Sequence, residues 1–318
     1  MKLKLSAVLL VSLVILSAQA QMVTHEVSVL AISPQYIIND NAPLRSDSNV
    51  NASLLKILPI GSICYLIERA ETDTITVNGV QSQWYKVKAD GYTGWIWGGN
   101  IAQYVFGSNE QPDVKFLIGY GAQEKIDNGN GYKYLSRMVH IKAVKGNKLM
   151  NKIALPMWPY YFDASIMGSS GVENVNDILS VHAPCVGGCG CSTGNTYIFW
   201  DGKKLHNVLY VGGTADADFS EWSEIAFPSN AAGEKGYIIT YSDSVIDDRE
   251  VGEYADKYSI IKRGVTINYY KWNGEKLMTT KEKPPVNKVY YTYFNNGEHK
   301  SIEKPELWED GEEANEGE

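Results

Sequence analysis

Three cysteines and a histidine that lie close together in the sequence are the residues best suited to chemistry. Cys185, Cys189 and Cys191 occur in the glycine-rich segment PCVGGCGC, which follows His182. In an exported protein, close cysteines usually form a disulfide bond, and Cys185 paired with Cys189 or Cys191 would leave one thiol over. The alternative is a tetrahedral zinc site made of the three thiolates and His182, although the Cys-x-Cys step strains that geometry. We therefore predict a disulfide bond rather than a metal site.

A cysteine nucleophile is another interpretation of this segment. Cys191-Ser192-Thr193-Gly194 is similar to the sequence around the nucleophile of cell-wall cysteine peptidases. Such a nucleophile needs a histidine within hydrogen-bond reach and a third group that orients the histidine. In that family the histidine follows the cysteine, whereas here His140 and His182 precede it and His206 is the nearest one that follows. This order favours a protein without catalytic activity, with a hydrolase as the alternative.

Acidic residues offer two further candidate sites. Asp216 and Asp218, with Glu221 nearby, have the residue types of a paired acid and base. Acidic surface loops of this composition are far commoner than hydrolytic sites, so we assign no catalytic residue. The segment Asp127-Asn128-Gly129-Asn130-Gly131 has the rhythm of a calcium loop, but Gly129 and Gly131 lack side-chain oxygens and no glutamate follows at the closing position. We therefore expect a hairpin turn there and no cofactor.

The elements that must position these residues are β-strands. The chain contains 21 tyrosines, 8 tryptophans and 29 glycines, and short alternating runs are separated by Asn-Gly and Asp-Gly turns. One hairpin pattern, a strand, a glycine turn and a Lys-Leu return strand, occurs at residues 139–149, 196–205 and 267–277. The strands predicted between these copies are residues 115–120, 177–182, 224–227 and 236–241. The arrangement resembles the hairpin repeats of β-propeller blades, so we expect a propeller-like or an irregular antiparallel domain.

Another hairpin, rich in aromatic residues, is predicted at residues 84–97, WYKVKADGYTGWIW. Residues 84–88 alternate in the manner of a strand with two unlike faces. Asp90-Gly91 supplies the positive φ angles of a tight turn. Gly94-Trp95-Ile96-Trp97 then resumes an extended run, which Gly98-Gly99 ends.

With the segments that precede it, this hairpin resembles a bacterial SH3-like domain. Leu44-Arg45-Ser46 is similar to the opening of that family, and Leu58-Pro59-Ile60-Gly61 is similar to its next segment. The match covers residues 26–106 and departs from the family at Pro43 and in the longer loop Asp73–Gln83. The resemblance implies a small barrel that binds peptides or peptidoglycan in the cell envelope. The ligand-binding residues that it implies are Tyr85, Tyr92, Trp95 and Trp97.

The size of such a barrel limits which aromatic side chains can be exposed. Because so small a domain must bury its largest side chains, we expect Trp84 and Trp95 to fill the core. Tyr92 and Trp97 are then expected at the surface. Cys64 stands alone on a predicted strand, where we expect a small buried apolar residue.

The N-terminus has the pattern of a secretory signal peptide. Lys2 and Lys4 precede an apolar run at residues 7–16, and Ala18-Gln19-Ala20 follows. The run is shorter than the ~20 residues of a membrane-spanning helix, and no cysteine follows Ala20 to carry a lipid anchor. Removal of residues 1–20 takes away two lysines and lowers the formal net charge from −8 to −10. This charge disfavours nucleic acid as a partner, and no transmembrane segment is expected in the mature chain.

These patterns predict an all-β protein in which a small SH3-like barrel precedes a larger β-rich domain. The expected divisions are a signal peptide at 1–20, the SH3-like domain at 26–106, a polar linker at 107–112, the β-rich domain at 113–304 and an acidic disordered tail at 305–318. We expect a secreted or periplasmic, non-catalytic protein. Its expected partner is a cell-wall or envelope peptide or glycan, or another envelope protein. The alternative is a secreted cell-wall hydrolase with its active site in the C-terminal domain.

Overall fold

The computed structural model describes most of the chain between residues 24 and 303. The described residues are 24–25, 33–71, 73–127, 131, 133–157, 161–185, 192–216, 219–247, 259–295 and 298–303. The predicted signal peptide, the predicted acidic tail, Cys189, Cys191 and Asp218 lie outside them.

Within these residues the fold is all-β, as the sequence predicts, and the helical content is a 3₁₀ turn at Gly98–Asn100. The strands of the first part of the chain are β1 (Thr24–His25), β2 (Gln35–Tyr36), β3 (Ala42–Arg45), β4 (Leu54–Leu58), β5 (Ile63–Arg69), β6 (Ile75–Val77), β7 (Val80–Ser82), β8 (Trp84–Ala89), β9 (Tyr92–Trp97) and β10 (Tyr104–Gly107). The next strands are β11 (Val114–Asp127), β12 (Lys133–Lys145), β13 (Lys148–Met157), β14 (Asp163–Gly168), β15 (Asp177–Ala183), β16 (Ser192–Trp200) and β17 (Leu205–Asp216). The last are β18 (Phe219–Ala226), β19 (Ile238–Asp247), β20 (Ser259–Trp272), β21 (Leu277–Thr279), β22 (Val286–Asn295) and β23 (Glu298–Glu303).

The N-terminal part forms a six-stranded sheet in the order β2-β5-β8-β9-β3-β4. Its side chains enclose one core that includes Leu44, Cys64, Tyr85 and Ile96, and Cys64 is a buried free cysteine as predicted. No described pair joins β2 to β4, so the hydrogen-bonded ladder does not close into a barrel.

The aromatic hairpin is confirmed as β8 and β9. The two strands pair from Trp84↔Trp97 to Ala89↔Tyr92, and the turn residues Asp90 and Gly91 have φ angles of 46° and 78°. The longer loop Asp73–Gln83 is itself mostly a hairpin, since it contains β6 and β7, and β7 also pairs with β1.

The larger part of the chain consists of two sheets that share a core with the aromatic hairpin. Strands β10 to β13 form a four-stranded antiparallel sheet, and β14 to β23 form a ten-stranded sheet. Phe116 and Ile141 of the first sheet pack with Leu179 and Trp200 of the second, and Trp84 of the hairpin belongs to the same cluster. The three parts of the protein are therefore joined by one hydrophobic core.

The three repeated hairpins predicted from the sequence are present as β12–β13, β16–β17 and β20–β21. They do not form separate propeller blades. The first lies in the four-stranded sheet, and the other two lie in one continuous ten-stranded sheet. Of the two arrangements considered, the described residues show the irregular antiparallel one.

The segment predicted as a polar linker is held in place by a buried carboxylate. Asp177 is fully buried and accepts hydrogen bonds from the Ser108 hydroxyl, from the backbone N–H of Asn109 at 2.9 Å and from the Asn109 amide at 2.7 Å. Gln111 accepts a hydrogen bond of 2.9 Å from the indole of Trp200. Residues 107–112 therefore connect two sheets through specific contacts, while the predicted domain boundaries stay predictions.

Candidate functional site

The four aromatic residues predicted to bind ligand lie in different environments. Tyr85 is fully buried in the core of the six-stranded sheet, and Trp97 is only 9% exposed. Trp95 is half-buried and Tyr92 is 44% exposed. The prediction that Trp97 is exposed is therefore wrong, and the exposure of Tyr92 is confirmed. Trp84 is buried as predicted, but Trp84 and Trp95 pack with a cluster shared with the following sheets and not with the core of the six-stranded sheet, so the prediction that they fill the barrel core is wrong.

Strand pairing explains why Trp97 is buried. Trp84 and Trp97 are directly opposite each other and share the outer face of the hairpin. At that end, both indoles belong to a cluster of buried side chains that includes Phe116 and Val139 of the following sheet. Further along the hairpin, the outer face is open and carries the pairs Lys86↔Trp95 and Lys88↔Thr93. The available surface is consequently the half of the hairpin nearest the turn.

One cross-strand row on this open face combines charge with an aromatic ring. Glu68, Lys86, Trp95 and Arg45 are successive partners across β5, β8, β9 and β3. The ammonium group of Lys86 lies 5.7 Å from the centre of the Trp95 ring and 2.9 Å from the Glu68 carboxylate. A guanidinium nitrogen of Arg45 donates a 2.8 Å hydrogen bond to the Ala52 carbonyl oxygen. The row therefore presents two fixed cations beside an indole.

The close approach of β3 to β9 in this row depends on Gly94. A Cβ atom at Gly94 would lie 2.6 Å from the Arg45 carbonyl oxygen and 2.8 Å from a Leu55 methyl carbon. Only a residue without a side chain fits between these strands. Gly94 thus sets the spacing that brings Arg45 next to Trp95.

Tyr92 forms a second group at the turn of the hairpin. The Lys56 ammonium lies 5.4 Å from the centre of the Tyr92 ring and 3.0 Å from the Asp90 carboxylate. The hydrogen bond with Asp90 raises the pKa of Lys56 above its ordinary value. Tyr92 is therefore positioned by a charged pair rather than by burial.

Exposed apolar side chains are concentrated around these two groups. Among the described residues, 15 large hydrophobic side chains are exposed, and 8 of them lie between residues 50 and 92. They are Val50, Leu54, Leu55, Ile57, Ile63, Tyr65, Ile67 and Tyr92. Single exposed apolar residues need no explanation, but a local concentration is typical of an interaction surface. We call the open outer face formed by Arg45, Tyr65, Lys86, Lys88 and Trp95 the cationic–aromatic face.

A second concave region lies where the ten-stranded sheet folds back on itself. Ile178 and Phe199 of β15 and β16 pack with Phe227 and Ile238, which lie after β18 and in β19. The ladder between β17 and β18 contains only the pairs from Gly213↔Trp222 to Asp216↔Phe219. From Ser223 onwards β18 pairs with β19 alone. A depression of about 310 Å³ lies at this divergence, and we call it the crease.

The floor of the crease is polar. His182 and Asn195 are cross-strand partners on β15 and β16, and so are Ser180 and Tyr197. The Ser180 hydroxyl donates a 3.0 Å hydrogen bond to the Asn195 side-chain oxygen. Burial raises the pKa of Tyr197, which also interacts with Ser180. The floor therefore carries amide, hydroxyl and imidazole groups in a fixed arrangement.

One wall of the crease is aromatic and includes a carboxylate. Trp222 is 53% exposed, and its ring lies against Gly213, where a Cβ atom would be 2.2 Å from a ring carbon. Glu224 is exposed on the same strand and lines the depression. Among the described lining residues there is no lysine or arginine.

The predicted cysteine chemistry is only partly within the described residues. Cys185 is exposed and takes part in a disulfide bond. Because Cys189 and Cys191 lie outside the described residues, the predicted pairing stays a prediction. A disulfide sulfur offers no thiolate to zinc, and no group of three or more histidine, cysteine or acidic side chains in the described chain is arranged to hold a metal ion.

Of the residues considered for hydrolysis, the described His206 and the described carboxylates Asp216 and Glu221 lie at different hairpins. His206 is buried, its ring nitrogen lies 2.9 Å from the Asp201 carboxylate, and its ring contacts Trp272. Burial acts to raise the pKa of Asp201, but the contact with His206 and backbone N–H groups lowers it overall. Asp216 and Glu221 are exposed at the β17–β18 hairpin. The Asp201–His206 pair fixes a turn rather than facing a cleft that is described.

Comparison of the chain with models of known protein families, with curated proteins and with solved structures finds no match. The resemblance to bacterial SH3-like domains therefore depends on the sequence motifs alone. Within the described residues, no helix has the length and apolar character needed to cross a membrane.

The sequence interpretation missed the charged members of the cationic–aromatic face and the whole crease. The alternation of Lys86 and Lys88 with buried residues could have identified the outer face of β8, because period-2 patterns separate the two faces of a strand. The adjacent Gly212-Gly213 in a strand could have indicated a close approach by another residue. No local pattern indicates that β18 leaves β17 at Trp222.

Proposed function

We propose that this chain is an exported, non-catalytic protein of the cell envelope that binds a peptide or a peptidoglycan-type ligand. The cationic–aromatic face is the binding surface in this proposal. The observation that carries it is the row in which Lys86 and Arg45 flank the half-buried Trp95. The predicted signal peptide and the resemblance to bacterial SH3-like domains support the location.

The chemistry of this face suits a short peptide that carries carboxylates and small apolar groups. Arg45 supplies a planar guanidinium, and Lys88 is an exposed cation next to Tyr65 across the strands. Trp95 and Tyr65 add rigid contact area at little cost in side-chain entropy. Peptidoglycan stem peptides have this combination of carboxylates and alanine methyl groups.

Tyr85 and Trp97 take no part in this proposal because both are buried. Their side chains hold the hairpin in place from its two faces, Tyr85 in the core of the six-stranded sheet and Trp97 in the shared core. The proposed contacts of the hairpin with ligand are therefore limited to Trp95, Lys86 and Lys88. Tyr92 pairs with Ala89 and, by strand alternation, lies on the other face of the hairpin.

The test is co-sedimentation of the mature chain with purified peptidoglycan sacculi. The variant Tyr65→Ser/Lys88→Glu changes two exposed neighbours on the face, and we expect it to weaken binding roughly tenfold or more. The control Tyr161→Ser/Lys203→Glu makes the same replacements at exposed positions outside the face and should bind like the unmodified chain.

Soluble products are analysed by mass spectrometry in the same experiment. Release of muropeptides by the unmodified chain would establish hydrolysis and refute the non-catalytic assignment. Equal binding by the two double variants would show that the cationic–aromatic face is not the binding surface.

A further inference from the structure

The crease in the ten-stranded sheet has the properties of a second ligand site, independent of the cationic–aromatic face. It exists because β17 and β18 pair over only four residues each and then diverge. Its volume of about 310 Å³ lies at the small end of the range for small-molecule sites. The depression therefore suits one or two rings of a small ligand.

The charges around the crease disfavour one class of ligand. Glu224 is the carboxylate of the lining, and no lysine or arginine accompanies it among the described lining residues. Phosphates and other anions are bound by arginine, lysine or clustered backbone N–H groups. The described lining therefore favours a neutral or a cationic ligand over an anion.

The floor of the crease favours a neutral ligand with hydroxyl groups. Asn195 uses its side-chain oxygen to accept the hydrogen bond from Ser180, so its amide NH₂ remains as a donor for a ligand. His182 and Thr193 line the same floor and offer further donors and acceptors. A polyol can satisfy many such groups at once, whereas an ammonium ion only donates.

Trp222 supplies the apolar part of the recognition. Its indole lies against Gly213, where any side chain would overlap the ring, and about half of the residue remains exposed. The ring is thus partly in contact with the protein and partly open to a ligand. A flat aromatic surface beside hydrogen-bonding groups matches a sugar ring, which has an apolar face and a rim of hydroxyls.

We propose that the crease binds a neutral saccharide, with Trp222 stacking on a sugar ring and Asn195 donating to a hydroxyl oxygen. Glu224 accepts hydrogen bonds from sugar hydroxyls at the edge of the site. The assignment concerns β15 to β18 alone, so it does not depend on ligand binding by the cationic–aromatic face.

The experiment measures binding of the mature chain to three neutral tetrasaccharides by calorimetry and by ligand-observed NMR. The probes are the β-1,4-linked N-acetylglucosamine tetramer, cellotetraose and maltotetraose. We expect at least one of them to bind, and we expect Trp222→Ala and Asn195→Ala each to weaken that binding about tenfold or more. Trp222→Tyr keeps a ring at the site and should recover most of the affinity. Tyr161→Ala, an exposed aromatic residue elsewhere, is the matched control.

Three results would overturn the proposal. The first is the absence of binding by all three saccharides at about 10 mM, a limit well above ordinary weak affinities. The second is binding that Trp222→Ala and Asn195→Ala leave unchanged in folded variants. The third is binding of choline in place of the saccharides, abolished by Glu224→Gln, which would assign the crease to a cation. Sedimentation of the Tyr65→Ser/Lys88→Glu variant with sacculi tests the other face. It is repeated in the Trp222→Ala background, so that glycan binding by the crease does not mask a loss at that face and failure of the two proposals can be told apart.

Discussion

Replacement of Lys142 by methionine tests how the six-stranded sheet is attached to the rest of the protein. Lys142 lies on β12 and is 9% exposed. Its ammonium donates hydrogen bonds of 2.9 Å to the Ile38 carbonyl oxygen and 3.1 Å to the Asn39 side-chain oxygen. Methionine has a similar length and keeps the apolar packing of the side chain, so the substitution removes mainly the two hydrogen bonds and the charge.

Two opposing effects set the size of the loss. The Ile38 carbonyl oxygen, left without its donor, costs about 1–3 kcal/mol, and the more accessible Asn39 oxygen costs less because water can reach it. Removal of a buried charge returns part of its desolvation penalty. We therefore expect Lys142→Met to lower the free energy of unfolding by about 2 kcal/mol at pH 7.

The pH dependence gives an independent check of the same reasoning. Burial lowers the pKa of Lys142 below its ordinary value. Attraction to Asp40 opposes this shift, and repulsion from Lys152 adds to it. The unfolded chain therefore holds this proton more tightly than the folded chain. As the pH increases from the lowered pKa to the ordinary one, the contribution of Lys142 to the free energy of unfolding rises. The difference in unfolding free energy between the unmodified chain and Lys142→Met should accordingly grow towards alkaline pH.

The assay is urea unfolding of both proteins at several pH values between 7 and 10, followed by tryptophan fluorescence. Burial raises the pKa values of Tyr104 and Tyr120 to about 12. Their contributions to the pH dependence of unfolding are present in both proteins and cancel when the two are compared. Lys145→Met is the control on the same strand, since Lys145 is exposed and paired with exposed Asp113, and we expect less than about 0.5 kcal/mol of change. Equal losses for the two variants, or a difference that shrinks at alkaline pH, would refute the role assigned to Lys142.

Three further substitutions test the contacts of residues 107–112 and the aromatic hairpin. Each is measured through the free energy of unfolding in urea. Asp177→Ala leaves the buried Ser108 hydroxyl and the two N–H donors of Asn109 without their acceptor, and we expect a loss of about 3 kcal/mol; a loss below about 1 kcal/mol would mean that residues 107–112 are not held by this contact. Gly94→Ala places a Cβ atom 2.6 Å from a backbone oxygen and should cost about 2–3 kcal/mol, together with a weaker interaction with sacculi. Gly91→Ala meets no atom within 4 Å, so only its positive φ angle penalises alanine, and a loss of about 1 kcal/mol is expected; a larger effect at Gly91 than at Gly94 would contradict the steric account.

The sequence predicts the local structure well because local structure depends on neighbouring residues. Asp90-Gly91 determines the aromatic hairpin through the two positive φ angles that its turn requires. The three repeated hairpins are predicted for the same reason. These features need no knowledge of what packs against them.

What the sequence does not predict depends on contacts between distant residues. Trp97 was expected at the surface because alternation shows that a strand has two faces but not which face is covered. The cover comes from β11 and β12, which follow later in the chain. Ser108 and Asn109 have the composition of an exposed linker, but their partner Asp177 lies 68–69 residues away.

The shared core has a consequence for how the two proposed sites act together. Trp84 and Trp97 of the hairpin pack in the same cluster as Phe116 and Trp200. Asp177 holds residues 107–112, which connect the four-stranded and ten-stranded sheets. The aromatic hairpin and the sheet that carries the crease are therefore linked through packed side chains of the described chain. Peptidoglycan carries peptides on a glycan strand, so one polymer offers a ligand for each site. Two weak sites on a rigid body can bind such a polymer with an affinity 10²–10⁴ times that of either site alone, provided that their spacing allows simultaneous contact. Under the two proposals, a shallow crease and an open sheet face, neither of which encloses its ligand, would together bind such a polymer more tightly than either does alone.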